Sequence, residues 1–382
     1  MAATGTEASG DAIVLRALHP DDRADVAALA ARAFPAMQAS FAVPSREGGV
    51  VALVEGRIAA VSLERIIVLP GGTKAGMIAW LMTDPERRGL GLASRLVRES
   101  LRRLREAGCT AVVTDVEGFN TASANVFHGA GFRRWTPRTQ PKRWSPFDVA
   151  WLWLRTGVVL DPGHFLWIAH ADGEVHDRAP AAPMRARAVA ILLNAAFALL
   201  ALSLGGGMLL PGDAGVPSPT TALAFLVGVA VLLLVRESAM RVAFGRGGGA
   251  LEFRAWEGGW GITAAIALLL GRAMPMPGNV YPAGDGWRTR DHVGRLGRGA
   301  VASALALAAL VLAASAARGT GISPGVDAVA AAIVFVGKPL LVFDTAIAVA
   351  PFDGFNARRL RNFHTPTWLA LASLGIAVFV WG

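Results

Sequence analysis

One heptapeptide, Arg87-Arg88-Gly89-Leu90-Gly91-Leu92-Ala93, has the residue types and spacing of an anion cradle. The two arginines bring charge. The two glycines let backbone N–H groups approach a phosphate with no Cβ in the way. A helix follows by apolar period, through Leu92, Leu96, Val97, Leu101 and Leu104. Arg95, Arg98, Arg102, Arg103 and Arg105 fall mostly on its other side. The first N–H groups of a helix have no partner within it, and the helix dipole adds partial positive charge there. A diphosphate is the anion this arrangement fits. The spacing is not the dinucleotide fingerprint G-x-G-x-x-G, which needs glycine where Ser94 stands.

The surrounding elements must hold that turn in place. Residues 78–82 are an apolar run of strand length, and Pro85 stops the ladder after it. Upstream, residues 12–16 read as a short strand. Pro20-Asp21-Asp22 opens a helix carrying Val26, Leu29, Ala30, Ala33 and Phe34. Residues 35–49 read as loop. Strands over 50–54 and 57–69 flank Glu55-Gly56, a hairpin signal, and Pro70-Gly71-Gly72 is a further turn. Downstream come a strand over 111–116, a short helix from Asn120 to about Gly129, and a last strand from Phe132 to Trp135.

Arg88-Gly89-x-Gly91-x-Ala93, after a strand and Pro85, resembles the acetyl-CoA loop of GNAT acetyltransferases. A second block, Asn120 followed by Asn125-Val126-Phe127-His128-Gly129-Ala130-Gly131-Phe132, resembles the family's N…(L)Y…GF segment in the expected order. The resemblance covers residues 12–145 and implies a mixed α/β domain with a largely antiparallel sheet. It implies acetyl-CoA as donor and an amine as acceptor. By carry-over, the backbone of Leu81, Met82 and Thr83 pairs with the pantetheine arm. The diphosphate lies on Arg87, Arg88, Gly89, Leu90, Gly91, Leu92 and Ala93. Asn120 contacts the cofactor, with Asn125 in the same block. The enzyme must orient two substrates, accept a proton and protonate the leaving thiolate.

The family's thiolate acid is often a tyrosine at the position held here by Phe127, which has no proton to give. The chain's one tyrosine is Tyr281. That leaves His128, a water, or no acid. Glu64, Asp84 and Glu117 are candidate bases, with Glu64 ranked first because strand carboxylates facing the acetyl group serve this role in relatives. The catalytic set expected is Glu64, Asn120 and His128.

Composition divides the 382 residues in two. Hydrophobic residues make up 53%, too many for an ordinary soluble protein, and they concentrate beyond residue 189. Apolar runs over 189–210, 220–235, 262–273, 300–317, 326–350 and 367–381 predict an all-α polytopic membrane domain with five or six crossings. The 262–273 run is short enough to be re-entrant. The net charge of +9 suits anionic headgroups or an acidic cofactor. Nucleic acid is not expected, since no basic stripe interleaves with aromatics. The 211–219 loop has no Lys or Arg, whereas Arg185, Arg187, Arg236, Arg241, Arg246 and Arg254 flank the first two runs. The N-terminal domain is therefore expected on the cytoplasmic side of the cell membrane. The first 30 residues lack a signal-peptide core. Single Cys109 excludes an internal disulfide and reads as a small buried hydrophobe.

Residues 146–188 read as a linker in which 149–160 is either an interfacial helix or a helix packed on the preceding domain. His164, His170 and His176 share no helix face, so no metal is expected from them. Beyond the linker, Arg236-Glu237-Ser238-Ala239-Met240, Pro277-Gly278-Asn279-Val280 and Pro351-Phe352-Asp353-Gly354 resemble, in order, the motifs of site-2-type intramembrane metalloproteases. That family's H-E-x-x-H histidines are replaced by Arg236 and Met240, while Glu237 matches the general base and Asp353 the third ligand. Arginine and methionine are poor zinc ligands, so the resemblance implies a metal-free pseudoprotease scaffold. Lys338 and Asp344 read as inward-facing polar positions in a span. The expectation is a membrane-tethered acetyltransferase with an unidentified amine acceptor, a protein, polyamine or small molecule, beside membrane lipid. The alternative is a non-catalytic acetyl-CoA sensor or partner-binding membrane protein.

Overall fold

The computed structural model describes residues 13–42, 48–137, 139–170, 183–205, 215–245, 249–349 and 351–382. The chain forms two units. The first comprises Met1–Asp115, Ala122–Thr156 and Leu166–Arg178; the second comprises Val116–Thr121, Gly157–Phe165 and Ala179–Gly382.

The first unit is built on a sheet of β1 (Val14–Ala17), β2 (Gly48–Val54), β3 (Arg57–Val68), β4 (Lys74–Thr83), β5 (Ala111–Glu117), β6 (Arg133–Arg134) and β7 (His164–His170), in the spatial order β1-β2-β3-β4-β5-β7-β6. β1 to β4 form an antiparallel meander, and β4 pairs with β5 in parallel. A parallel pair needs a crossover, and α3 (Leu92–Glu106) supplies it.

Strand side chains alternate between faces. Val51, Val61 and Leu63 pack under α1 (Arg23–Ala33) and α2 (Ala36–Phe41), with Val26, Leu29 and Ala30. Val50, Ala52 and Ala60 pack under α3, against Leu92 and Leu96. α3 buries Leu92, Leu96, Val97, Leu101 and Leu104, the stripe its sequence predicts. Helix α4 (Thr121–Gly129) follows β5. Two of the sequence expectations need correction. α2 lies in the stretch read as loop. Residues 146–170 are also more than a linker: α5 (Pro146–Thr156) buries Leu152 in a cluster with Trp135, Trp144 and Ile168, and β7 enters the sheet. Asp148 on α5 secures the β3–β4 turn by accepting from Gly71 N (2.9 Å).

The second unit contains α6 (Pro183–Ser203), α7 (Pro219–Phe244), α8 (Trp260–Leu270), α9 (Thr289–Ala317), α10 (Pro324–Thr345), α11 (Asn356–Phe363) and α12 (Thr365–Trp381), with a hairpin of β8 (Leu251–Arg254) and β9 (Asn279–Pro282). Among the described residues, α6, α7, α9 and α10 are long and apolar enough to cross a membrane. The expected five or six crossings would also take in the shorter apolar helices α8 and α12. α8 has 11 residues, below the range of a spanning helix, and α12 has 17, at its lower end. Small residues let the long helices approach closely. A Cβ on Gly228 would stand 2.9 Å from Ala332 Cβ, and one on Gly337 would stand 2.7 Å from Val311 Cγ2.

Candidate active site

The cradle between β4 and α3 begins as a fixed loop. Asp84 N donates to Ala59 O (2.8 Å), and the Asp84 carboxylate accepts from Glu86 N (3.1 Å). Arg32 grips Asp84 through Nε (3.1 Å) and Nη2 (2.8 Å), holding its carboxyl below the usual carboxylate range. Arg87 is tied to Glu55 at 2.5 Å. Asp84 and Arg87 thus anchor the loop, which takes Asp84 out of the candidate bases. Arg88 is exposed and makes no ion pair among the described residues.

Gly89 (φ +91°) and Gly91 (φ +72°) adopt the left-handed backbone that other residues resist, and a Cβ at either would meet nothing within 4 Å. Gly91 is the N-cap of α3 and no side chain caps it. The first main-chain bond of the helix runs from Arg95 N to Gly91 O (3.1 Å). The N–H groups of Leu92, Ala93 and Ser94 precede that bond, so they lack partners within the helix.

β4 supplies the second half of the site. Its pairing with β5 runs only from Ala75↔Ala111 to Met77↔Val113. Ala79 then bulges, since Leu63 pairs with Trp80 but Glu64 with Ile78. Thr114 Oγ1 donates to Ile78 O (2.9 Å) where the strands part. Leu81, Met82 and Thr83 continue on β3, opposite Ser62, Val61 and Ala60. Backbone groups alternate in direction along a strand, so part of this segment points away from β3 into the opening. A bulge beside an opening is a usual way to re-aim a strand at a site. Asp115, which the sequence reading did not single out, is half-buried on β5 two residues beyond the last β4 pair.

Glu64 sits elsewhere. It is buried beneath α3, with its carboxylate 3.6 Å from Arg103 Nε and one oxygen left without a hydrogen-bond partner. Burial pushes its pKa up, and Ser100 and Arg103 offset only part of that. A carboxyl raised by folding costs no stability while it stays protonated. The cost appears as pH rises above the ordinary value of 4.5. Glu64→Gln should therefore flatten the fall in melting temperature on going from acid to neutral pH. A steeper fall in the variant would show that the carboxylate stabilises the fold.

On α4, Asn125 and His128 are half-buried. The Arg133 guanidinium lies 3.4 Å from His128 Nδ1 and donates to His128 O (3.2 Å) and Phe132 O (2.8 Å). Phe127, at the position of the family tyrosine, is buried edge-on against Phe132 at 5.1 Å.

Asn120 and Glu117 fall in the short segment that belongs to the second unit. The buried Glu117 carboxylate accepts from Phe119 N (2.9 Å) and from Arg358 Nη1 (3.1 Å). Burial pushes its pKa up, against the pull of Arg358. Asn120 is exposed and its N–H donates to Glu117 O (2.9 Å). Phe119 stacks on Tyr281 at 4.8 Å, under the Arg359 guanidinium at 3.8 Å. Thr289 Oγ1 donates to Phe119 O (2.7 Å). Sequence reasoning missed these holding residues. Their only signal was the arginine density of the 356–363 stretch.

Of the blocks compared with a protease zinc site, the one at 277–280 meets the one at 351–354 where Asn279 Nδ2 donates to Gly354 O (3.1 Å). Arg236 forms a buried pair with Asp344, through Nε (2.6 Å) and Nη2 (3.0 Å), and donates to Gly278 O (3.0 Å). Asp353 pairs with Arg358 at 3.5 Å, and Glu237 is held by Arg187 and Arg241 at 2.6 Å each. The pseudoprotease reading rests on the order of the sequence motifs alone. Among the three histidines, His164 opens β7, His170 ends it, and His176 lies outside the described residues.

Residues 16–132 match the family model described as the acetyltransferase (GNAT) family. Two curated relatives are mycothiol acetyltransferases. The one from Saccharopolyspora erythraea is 38% identical over 71 residues, 19% of this chain and 23% of that protein. The one from Thermobispora bispora is 42% identical over 53 residues, 14% and 18% of the respective chains. The chain thus spans about a fifth of these relatives. Similar solved structures include the ribosomal-protein-S18-alanine N-acetyltransferase from Escherichia coli, with 16% identity, a TM-score of 0.31, and coverage of 42% of this chain and 94% of that one. Another is a GNAT-family acetyltransferase from Streptococcus pneumoniae, with 14% identity, a TM-score of 0.30, and coverage of 42% and 99%. The N-terminal mixed sheet is a GNAT-like fold, and a helical region with four long apolar helices follows it.

Proposed function

We infer that this chain is a membrane-anchored N-acetyltransferase that takes its acetyl group from acetyl-CoA and passes it to an amine. The observation that carries this reading is the uncapped start of α3 behind two open, positive-φ glycines, next to a strand that leaves its parallel neighbour after Met77. The residues fit the donor. A diphosphate accepts from the N–H groups of Leu92, Ala93 and Ser94 and meets the charge of Arg88. The outward backbone of Leu81, Met82 and Thr83 takes the amide arm, and Asn125 binds further along it. Bound acetyl-CoA supplies an activated thioester carbonyl.

The protein then has to orient the amine and move protons. We assign the base to Asp115, half-buried on β5 two residues past its last pair with β4, and give Glu64 a positioning role beneath α3, in place of the base first expected. His128 or a water protonates the departing sulfur, since Phe127 cannot. Anchoring is supported by the four long apolar helices. The Arg187–Glu237 pair joins the start of α6 to the end of α7, so their arginine-rich ends share one side, the cytoplasmic one under the positive-inside rule.

The test is thiol release from acetyl-CoA by the full chain in detergent, with peptide N-termini, lysine, polyamines, amino headgroups and a small thiol-bearing amine as acceptors. The last is included because of the name of the mycothiol relatives. Asp115→Asn should lose at least about 100-fold in kcat, the usual scale for a general base, while still binding acetyl-CoA. Glu64→Gln should stay within a few-fold of wild type. Binding without turnover by any acceptor would favour the acetyl-CoA sensor, a reading to which the buried Phe127 lends some weight.

A further inference from the structure

Helix α5 has two apolar faces where a helix on the surface of a soluble domain needs one. The inner face is accounted for. Leu152 is fully buried, Asp148 and Thr156 are buried beside it, and Val149 packs on the same cluster. The outer face is not. Phe147 is 69% exposed, Trp151 39% and Leu154 63%. Their spacing of i, i+4 and i+7 makes one stripe along the helix. Ala150 and Arg155 complete the face, and both are exposed. Within its own unit, no described residue covers the stripe. Scattered surface hydrophobes need no explanation, but a contiguous Phe-Trp-Leu stripe does.

The charge around the stripe indicates what covers it. Among the described residues of 133–160 are Arg133, Arg134, Lys142, Arg143 and Arg155, against Asp148 as the single acid. That acid is spent internally, on Gly71 N and Ser145 Oγ. Arg155 lies over the Trp151 ring at 5.8 Å. A tryptophan with an arginine beside it suits the headgroup layer, where the ring is half apolar and half wet. Phe147 and Leu154 reach the acyl boundary just below, and the basic surroundings favour anionic lipid.

We propose that the outer face of α5 is a bilayer-docking surface, with Phe147, Trp151 and Leu154 in the interface of an anionic membrane. The proposal rests on the membrane-anchored reading, because the spans keep a bilayer within reach. The helix then acts as a second point of attachment. It restrains the acetyltransferase-like unit against the lipid surface and favours acceptors presented there.

Nitroxide labels test this on the full chain in bilayers. Cys109 is buried and is replaced by serine to leave one label site. The labels go on Leu154→Cys, on Arg98→Cys as a water-exposed reference, and on Leu312→Cys, which is 44% exposed on α9, as a reference for insertion. The bilayers are phosphatidylcholine with and without phosphatidylglycerol, and the probes are oxygen and a water-soluble nickel chelate. The expected result at Leu154 is loss of nickel accessibility and gain of oxygen accessibility relative to Arg98, with a larger change in the anionic bilayer. Bromine-labelled lipid should also quench the emission that Trp151→Phe removes.

If Leu154 is as nickel-accessible as Arg98 while Leu312 meets oxygen, the docking face is wrong and the anchoring stands. If Leu312 too lacks oxygen accessibility, both are wrong. A Leu154 label shielded from both probes would mean that protein covers the stripe, which also overturns the proposal. Equal results in the two bilayers would overturn its preference for anionic lipid.

Discussion

Gly91→Glu should abolish saturable acetyl-CoA binding while leaving the chain folded. Two effects add at this position. Gly91 sits at φ +72°, and a side chain there costs about 1–2 kcal/mol in the left-handed region. The new carboxylate also enters the space that a Cβ finds empty, at the helix end whose positive potential serves the diphosphate. Losing a favourable helix-end interaction costs up to about 2 kcal/mol, and like-charge repulsion adds to that. The sum predicts at least about 100-fold weaker binding, equivalent to about 2.7 kcal/mol. Gly91→Ala separates the two effects, since it carries the strain without the charge, and should weaken binding only about tenfold. Calorimetric titration of the full chain in detergent reads both. Binding of Gly91→Glu within a few-fold of wild type would remove the cradle as the diphosphate site.

The second large effect lies in the helical unit. Asp344 is fully buried, and its two oxygens are taken by Arg236 and by the backbone and side chain of Asn356. Arg236→Met removes the guanidinium and leaves a buried carboxylate facing two weaker donors. Breaking such a pair from one side costs about 3–5 kcal/mol. Arg236→Met should therefore lower the melting temperature sharply. Arg236→Met combined with Asp344→Leu should recover most of the loss, because replacing both partners of a buried pair by apolar residues is often neutral. A double variant as unstable as the single one would show that the pair's hydrogen bonds to Gly278 and Asn356, rather than charge balance, hold these helices. The pair also explains why Asp344 and Lys338 gave no helical partnership in the sequence: the partner of Asp344 is 108 residues away.

What the sequence disclosed was local. α3 was legible because one stripe of leucines and one of arginines alternate at helical period, and no competing pattern overlaps them. The cradle was legible because Gly89 and Gly91 interrupt that charge where a turn must form. The β2–β3 hairpin was legible from Glu55-Gly56 between two apolar runs. The errors came where pairing is distant. The run Phe165 to Ala169 is a buried strand, yet short apolar runs do not declare their period, and its place in the sheet depends on strands elsewhere in the chain. Helix α5 was left between two readings because both of its faces are apolar. Glu117 could be named as a carboxylate, but Arg358, which donates to it, lies 241 residues on. Glu64 was ranked by analogy with relatives, and no local pattern told which side of β3 it would face.

The two units have a consequence for cutting the molecule apart. The chain passes from one to the other at 115/116, 121/122, 156/157, 165/166 and 178/179. Two finished proteins joined end to end would share a single junction. Here a single cut at 178/179 keeps every residue of the first unit but takes Val116–Thr121 and Gly157–Phe165 away from the second. A fragment ending at residue 145 would take Trp135 and Trp144 without Leu152 and Ile168, and Glu117 and Phe119 without Arg358 and Tyr281. The second unit has no single cut that keeps it whole, because two of its three pieces lie between stretches of the first.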